Sequence, residues 1–200
     1  MIFGYSSGSP GATLTLTTGG APFTVDTSVG PVVVGKNNQG WWSANDSNDY
    51  YNDNYFVGEY PGNLLNDFFA FDLRGFGGGA LSATLSITSP SCGDCWVGLP
   101  VTYFLYDVST PVGTLVYTDG TSAAIYTDLG TGKLYASVPL SAYVSPLVIG
   151  LNSDALADIN NAAGDYFAVG GTLGAIPEPS TWALLGAGLL ALAVRRRAKR

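Results

Sequence analysis

The stretch Ala80-Leu81-Ser82-Ala83-Thr84-Leu85-Ser86-Ile87-Thr88 alternates apolar and hydroxyl side chains without a break from Leu81 onward. Successive side chains of a strand point to opposite faces, so this period of two predicts a strand half-buried against a core. Just upstream, residues 67–73 place Phe69, Phe71 and Leu73 on one face. The linking run Arg74-Gly75-Phe76-Gly77-Gly78-Gly79 is rich in turn formers, which predicts that the two strands are sequential neighbours. The same texture extends outward in both directions, with further candidate strands at 12–18, 22–27, 31–34, 54–58, 101–108, 112–117, 123–127, 133–138, 143–151 and 165–173. Pro146 marks its strand as an edge or a bulge, because proline cannot donate to a ladder. Only 153–162 reads as a helix: Ser153 can cap it, Ala155, Leu156 and Ile159 form an apolar stripe, and Gly164 can end it. The expected fold is therefore mainly β, a two-layer antiparallel β-sandwich of jelly-roll-like type with one short helix. It should occupy residues 1–173, with a flexible boundary at Gly170-Gly171.

Composition agrees with that architecture. Charged residues make up only 12% of the 200 positions, against 46% hydrophobic ones, and the chain has 27 Gly and 11 Pro. Helical bundles need charged outer faces, whereas short strands need many turns. Histidine is absent, which removes the commonest general base, the commonest metal ligand and any Ser-His-Asp triad. Up to residue 180 only Lys36, Arg74 and Lys133 face all fifteen acidic residues. So acidic a body repels phosphate backbones, and nucleic acid is not an expected partner.

The remaining five basic residues, Arg195, Arg196, Arg197, Lys199 and Arg200, crowd the last six positions. Before them, Thr181 to Val194 gives fourteen residues without a charge, including Trp182, Leu184, Leu185, Leu189, Leu190, Leu192 and Val194. As a helix this run reaches about 21 Å, against a hydrocarbon core of about 30 Å. With Trp182 at one interface and the arginines extended toward the other, it can serve as a single transmembrane helix. Clustered arginines stay on the cytoplasmic side, which puts the acidic body across the membrane.

Pro177-Glu178-Pro179, the apolar span and the Arg-rich end together resemble the PEP-CTERM sorting signal of Gram-negative bacteria. The resemblance implies a sorting segment over 174–200, with exosortase, a membrane-embedded processing enzyme, as partner. It further implies transient anchoring in the inner membrane, cleavage near Pro177-Glu178-Pro179, and delivery to the cell surface or an extracellular exopolysaccharide matrix. Such proteins begin with a secretory signal peptide. Met1-Ile2-Phe3-Gly4-Tyr5-Ser6-Ser7 has neither a basic nor an apolar region of that kind, so a start upstream of Met1 is expected. In the body, Asn66-Asp67-Phe68-Phe69-Ala70-Phe71-Asp72-Leu73, Leu81-Ser82-Ala83-Thr84-Leu85, Leu151-Asn152-Ser153-Asp154-Ala155-Leu156-Ala157 and Phe167-Ala168-Val169-Gly170-Gly171 resemble phrases of secreted β-sandwich proteins that carry this signal. That similarity, over about residues 40–173, implies fold and no assigned activity.

Three clusters bear on chemistry. Cys92-Gly93-Asp94-Cys95 is a lone CxxC. A disulfide pinning a loop in an oxidising compartment is the leading reading, beside a redox, metal-binding or reduced pair. A zinc site would need two further ligands of a kind the chain lacks. Asp46, Asp49 and Asp53 lie in the oxygen-rich run 45–54, which reads as a solvated turn-rich loop or as a calcium site; no other cofactor is expected. Trp41, Trp42, Tyr50, Tyr51, Tyr55, Phe56 and Tyr60 crowd twenty residues, as core or as a carbohydrate-binding platform whose chief contacts would be Trp41, Trp42, Tyr50 and Tyr51. The loose glycine motifs at 75–80 and 130–133 lack the helix and the Ser or Thr that nucleotide binding demands. No pair of carboxylates is selected by spacing, and the chain is not expected to be an enzyme. A structural or adhesive role is the expected function, with glycan binding as the alternative.

Overall fold

The computed structural model describes residues 9–60, 62–88 and 100–175. The alternating stretch that opened the sequence forms β6 (Ser82–Ile87), with Ala83, Leu85 and Ile87 buried. It lies between β1 (Ala12–Thr17) and β9 (Leu147–Gly150), and β2 (Phe23–Asp26) completes a four-stranded sheet in the order β2-β1-β6-β9. The second sheet runs β3 (Gln39–Ser43), β5 (Asn63–Asp72), β10 (Tyr166–Ala175), β7 (Val101–Asp107), β8 (Leu134–Leu140), with β4 (Gly58–Tyr60) added to β5. Every pairing is antiparallel. The chain is mainly β, built on two antiparallel sheets with few helices.

The inward faces of both sheets join in one core. Leu14, Leu16, Ala83, Leu85, Ile87 and Ile149 come from the smaller sheet, and Phe69, Phe71, Tyr103, Leu105, Phe167 and Val169 from the larger. The glycine-rich run 74–79 therefore carries the chain from one sheet to the other. The strands it joins are not neighbours, as the turn signal predicted, but face each other across the core. The reason is in the side chains: Phe69, Phe71 and Leu73 meet Ala83, Leu85 and Ile87 face to face, which buries more apolar surface than an edge contact would.

Two helices replace expected strands. Residues 112–117 and 123–127, both rich in β-branched or aromatic residues, fold as α1 (Val112–Val116) and the first part of α2 (Ala123–Leu129). With α3 (Ser153–Asn161), capped by Asn152 rather than Ser153, there are three helices among the described residues instead of one. Tertiary context overrides propensity here. Leu115, Val116, Ile125 and Leu129 cover Phe68, Ala70 and Ala168 on the outer face of the larger sheet, adding a third layer there. Burial on both faces also explains why β3 and the inner part of β5 show no polar alternation.

Gly170-Gly171 is a further correction. Both glycines lie inside β10, paired with Phe68 and Asp67 on one side and Tyr106 and Leu105 on the other. A Cβ on Gly170 would come within 2.6 Å of the Leu129 backbone, and one on Gly171 would overlap the Asp67 carboxylate and the Tyr103 hydroxyl. They are glycines because neighbours approach closely, not because the chain must flex. β10 continues to residue 175, two residues past the expected boundary. Residues 31–34 form turns rather than a strand. No helix among the described residues is long and apolar enough to cross a membrane, and 181–194 lies outside them.

Candidate functional site

The aromatic and oxygen-rich region 36–55 is built around a buried lysine. Lys36 is 3% exposed, and its ammonium donates to the Tyr50 carbonyl at 3.0 Å, the Val116 carbonyl at 2.8 Å and the Thr118 hydroxyl at 2.7 Å. All three protons are thereby used. Burial pulls its pKa down to about 8, opposed by the negative charges of Asp53 and Asp49. Trp42 Nε1 donates to the Leu115 carbonyl at 3.0 Å. The last carbonyls of α1, which a five-residue helix cannot satisfy itself, are thus met by Lys36 and Trp42 from another part of the chain.

This arrangement fixes the fate of the aromatic cluster. Trp41 and Trp42 are 6% and 4% exposed and present no face to solvent; Tyr55 is wholly buried. The platform reading, the alternative to core, loses both tryptophans because they are buried within β3 of the larger sheet. Tyr50 and Tyr51 remain at the surface side of the knot, with Tyr51 70% exposed. They are joined by Tyr117, more than sixty residues away in sequence and 49% exposed. Tyr50 meets Tyr51 edge-on at a centroid distance of 4.7 Å and Tyr117 at 5.0 Å. A hydrogen bond with the Tyr117 hydroxyl raises the Tyr50 pKa to about 12, with desolvation adding to it. Nothing near 50 in the sequence points to Tyr117; only the fold of α1 brings it there.

The three aspartates of the oxygen-rich run are used individually. Asp53 is buried and accepts from the Asn37 side-chain amide at 2.8 Å. Asp49 accepts from the Tyr51 backbone N–H at 2.9 Å, and the Asp46 backbone N–H donates to the Ser43 hydroxyl at 3.2 Å. Asn48 and Asn52 side chains likewise accept from nearby backbone N–H groups. Bonds of this kind hold the turns of the run in place. Among the described residues, no three His, Cys, Asp or Glu side chains come together in a way that could hold a metal ion.

Sequence reasoning missed the buried polar residues that bind the layers. Gln39 accepts from the Gly11 backbone N–H and the Thr27 hydroxyl, both at 2.6 Å, and donates to the Asp53 carbonyl at 2.9 Å. Asp67 accepts from the Tyr103 hydroxyl at 2.9 and 3.1 Å, and burial raises both pKa values well above their ordinary ranges. Further surface relief lies at the end of the larger sheet where β10 begins. A cleft of about 430 Å³ bounded by Ser109, Thr110, Asp165 and Tyr166 adjoins one of about 290 Å³ bounded by Lys133, Tyr135, Asp158 and Tyr166.

At the other end of β10 lies residue 175, the last of the described residues. Residues 175–197 match the PEP-CTERM protein-sorting motif. The matched span contains Pro177, Glu178 and Pro179, the whole apolar run from Trp182 to Val194, and Arg195, Arg196 and Arg197; Lys199 and Arg200 follow it. No curated protein and no solved structure matches the chain. The sorting residues from 176 onward, and Cys92 and Cys95, lie outside the described residues.

Proposed function

We propose that this chain is an exported envelope protein whose C-terminal segment is cut by exosortase in the membrane. The β-domain would then remain at the cell surface or in an exopolysaccharide matrix, in a structural or adhesive, non-catalytic role. One observation carries the reading: residues 175–197 match the PEP-CTERM sorting motif, and the described β-domain lies on its N-terminal side. The two facing sheets, taken as a β-sandwich, suit a passive surface module. To test this, the full chain behind an export leader is expressed in hosts with and without exosortase. With the enzyme, the mass of the released protein should end near residues 177–179; Pro177→Ala with Pro179→Ala should keep the Arg-rich tail attached. An intact C-terminus in the host that has the enzyme would refute the reading.

The tyrosine cluster favours a second, compatible role. Tyr50, Tyr51 and Tyr117 offer exposed ring surface beside Asp49 and Asn52, a combination that suits sugar rings and their hydroxyls. Tyr51→Ala with Tyr117→Ala should weaken retention on the native exopolysaccharide about tenfold or more at unchanged Tm. Equal retention by the double variant would remove glycan contact from consideration.

A further inference from the structure

The two ends of the larger sheet differ in chemistry. At the end where β10 begins, strand register gathers Asp72, Arg74, Asp107, Lys133, Asp158 and Asp165. At the end where the chain departs, register aligns residue 175 with Val101 and Val101 with Leu140, so the β8–β9 connection, 141–146, lies there. The β4–β5 turn lies there too, because Tyr60 pairs with Asn63 at the start of β5. All six residues of 141–146 are exposed and none is charged. Four large side chains project from these two connections: Tyr60 and Leu64, 47% and 59% exposed, and Tyr143 and Val144, each 44%.

These side chains flank the departing strand, and the distance from it to the apolar run is short. Five residues separate position 175 from Thr181, and a fully extended chain covers at most about 22 Å over those six Cα–Cα steps. The end of β10 is therefore tethered within about 22 Å of the point where Thr181–Val194 enters a bilayer, whereas β10 itself carries the charged end about 30 Å farther along the strand. Tyrosines with aliphatic neighbours are the side chains that settle at a membrane–water interface.

We propose that this end of the larger sheet rests on the bilayer surface while the sorting segment is attached, with Tyr60, Leu64, Tyr143 and Val144 at headgroup level. This rests on the anchored-precursor reading above. Among the described residues the strand register places no cation at this end, while Glu59 precedes Tyr60 and Asp46 lies beyond Ser43 at the end of β3. The lipid it fits is therefore zwitterionic, since anionic headgroups would repel both acids.

The test uses the full chain in phosphatidylcholine vesicles, separated by flotation and probed by amide hydrogen exchange against the same chain in detergent micelles. Exchange at 58–65 and 141–147 should slow about tenfold in vesicles, while 72–79 and 130–134 stay unchanged. Leu64→Asp with Val144→Asp should float equally well and lose that protection. If the wild-type chain does not float, the anchored reading itself fails. If it floats with the two connections exchanging as in micelles, only the resting surface is overturned. Protection that vanishes when the protein is diluted among more vesicles would mean that a second copy covers the patch, and would overturn it as well.

Discussion

Asp67 is the side chain whose replacement tests the interior most directly. It is wholly buried between Trp41 of β3 and Gly171 of β10, and only the Tyr103 hydroxyl bonds its carboxyl oxygens through a side chain. Burial raises its pKa well above the ordinary value of 3.8, and the Tyr103 bond only partly offsets this. A carboxyl that binds its proton more tightly when folded contributes stability that is fully present below pH 3.8 and is lost as pH climbs through the folded-state pKa. Asn in this position keeps the shape and cannot ionise. Relative to wild type, Asp67→Asn should therefore gain stability between pH 3.5 and pH 7. Each unit of displacement is worth about 1.4 kcal/mol, or roughly 3–6 °C in Tm for a chain of this length. Thermal melts of both proteins at the two pH values supply the measurement. The amide of Asn adds donors that can cost stability, but that offset is the same at both pH values and drops out of the difference. A variant-minus-wild-type Tm that does not change with pH would refute the argument.

Two other substitutions probe neighbouring features. Gly171→Ala drives a methyl group into Asp67 and Tyr103, and should cost about 1–3 kcal/mol in urea unfolding, whereas Gly79→Ala meets no atom within 4 Å and is limited to the strain of its positive φ. Lys36 has a folded pKa of about 8, below its ordinary 10.5, so its contribution to stability is absent below about pH 8 and grows as pH rises toward 10.5. Wild type should accordingly gain stability relative to Lys36→Met between pH 8 and pH 10, as measured by chemical denaturation at each pH. In the same variant, loss of the donors to the Tyr50 and Val116 carbonyls should raise amide exchange across 112–118.

Where one face of a strand is wet, the sequence was legible. Ala83, Leu85 and Ile87 alternate with hydroxyls, and β6 lies within one residue of where that alternation places it. α3 was equally readable, from its apolar stripe and its stop at Gly164. Legibility failed where both faces are covered. Gln39–Ser43 is buried at all five positions and has no period to read, and α1 forms because Lys36 and Trp42 complete it from a distance. The tyrosine cluster was half visible, in Tyr50 and Tyr51, while Tyr117 owes its place to α1. The sorting motif was legible because its grammar is linear: proline and glutamate, then an apolar run, then arginines, and the match covers 175–197 of the expected 174–200. Gly170 and Gly171 misled for the opposite reason, since glycine answers both to freedom and to crowding, and only Leu129, Asp67 and Tyr103 decide which.

The position of β10 has a consequence for how such a chain is made. The last strand of the body is also a central one, joined to β5 over six residue pairs and to β7 over seven. Until it emerges, the larger sheet exists only as two separate halves with bare hydrogen-bonding rims. A nascent chain built this way cannot close its larger sheet until residues 166–175 are available to join the two halves.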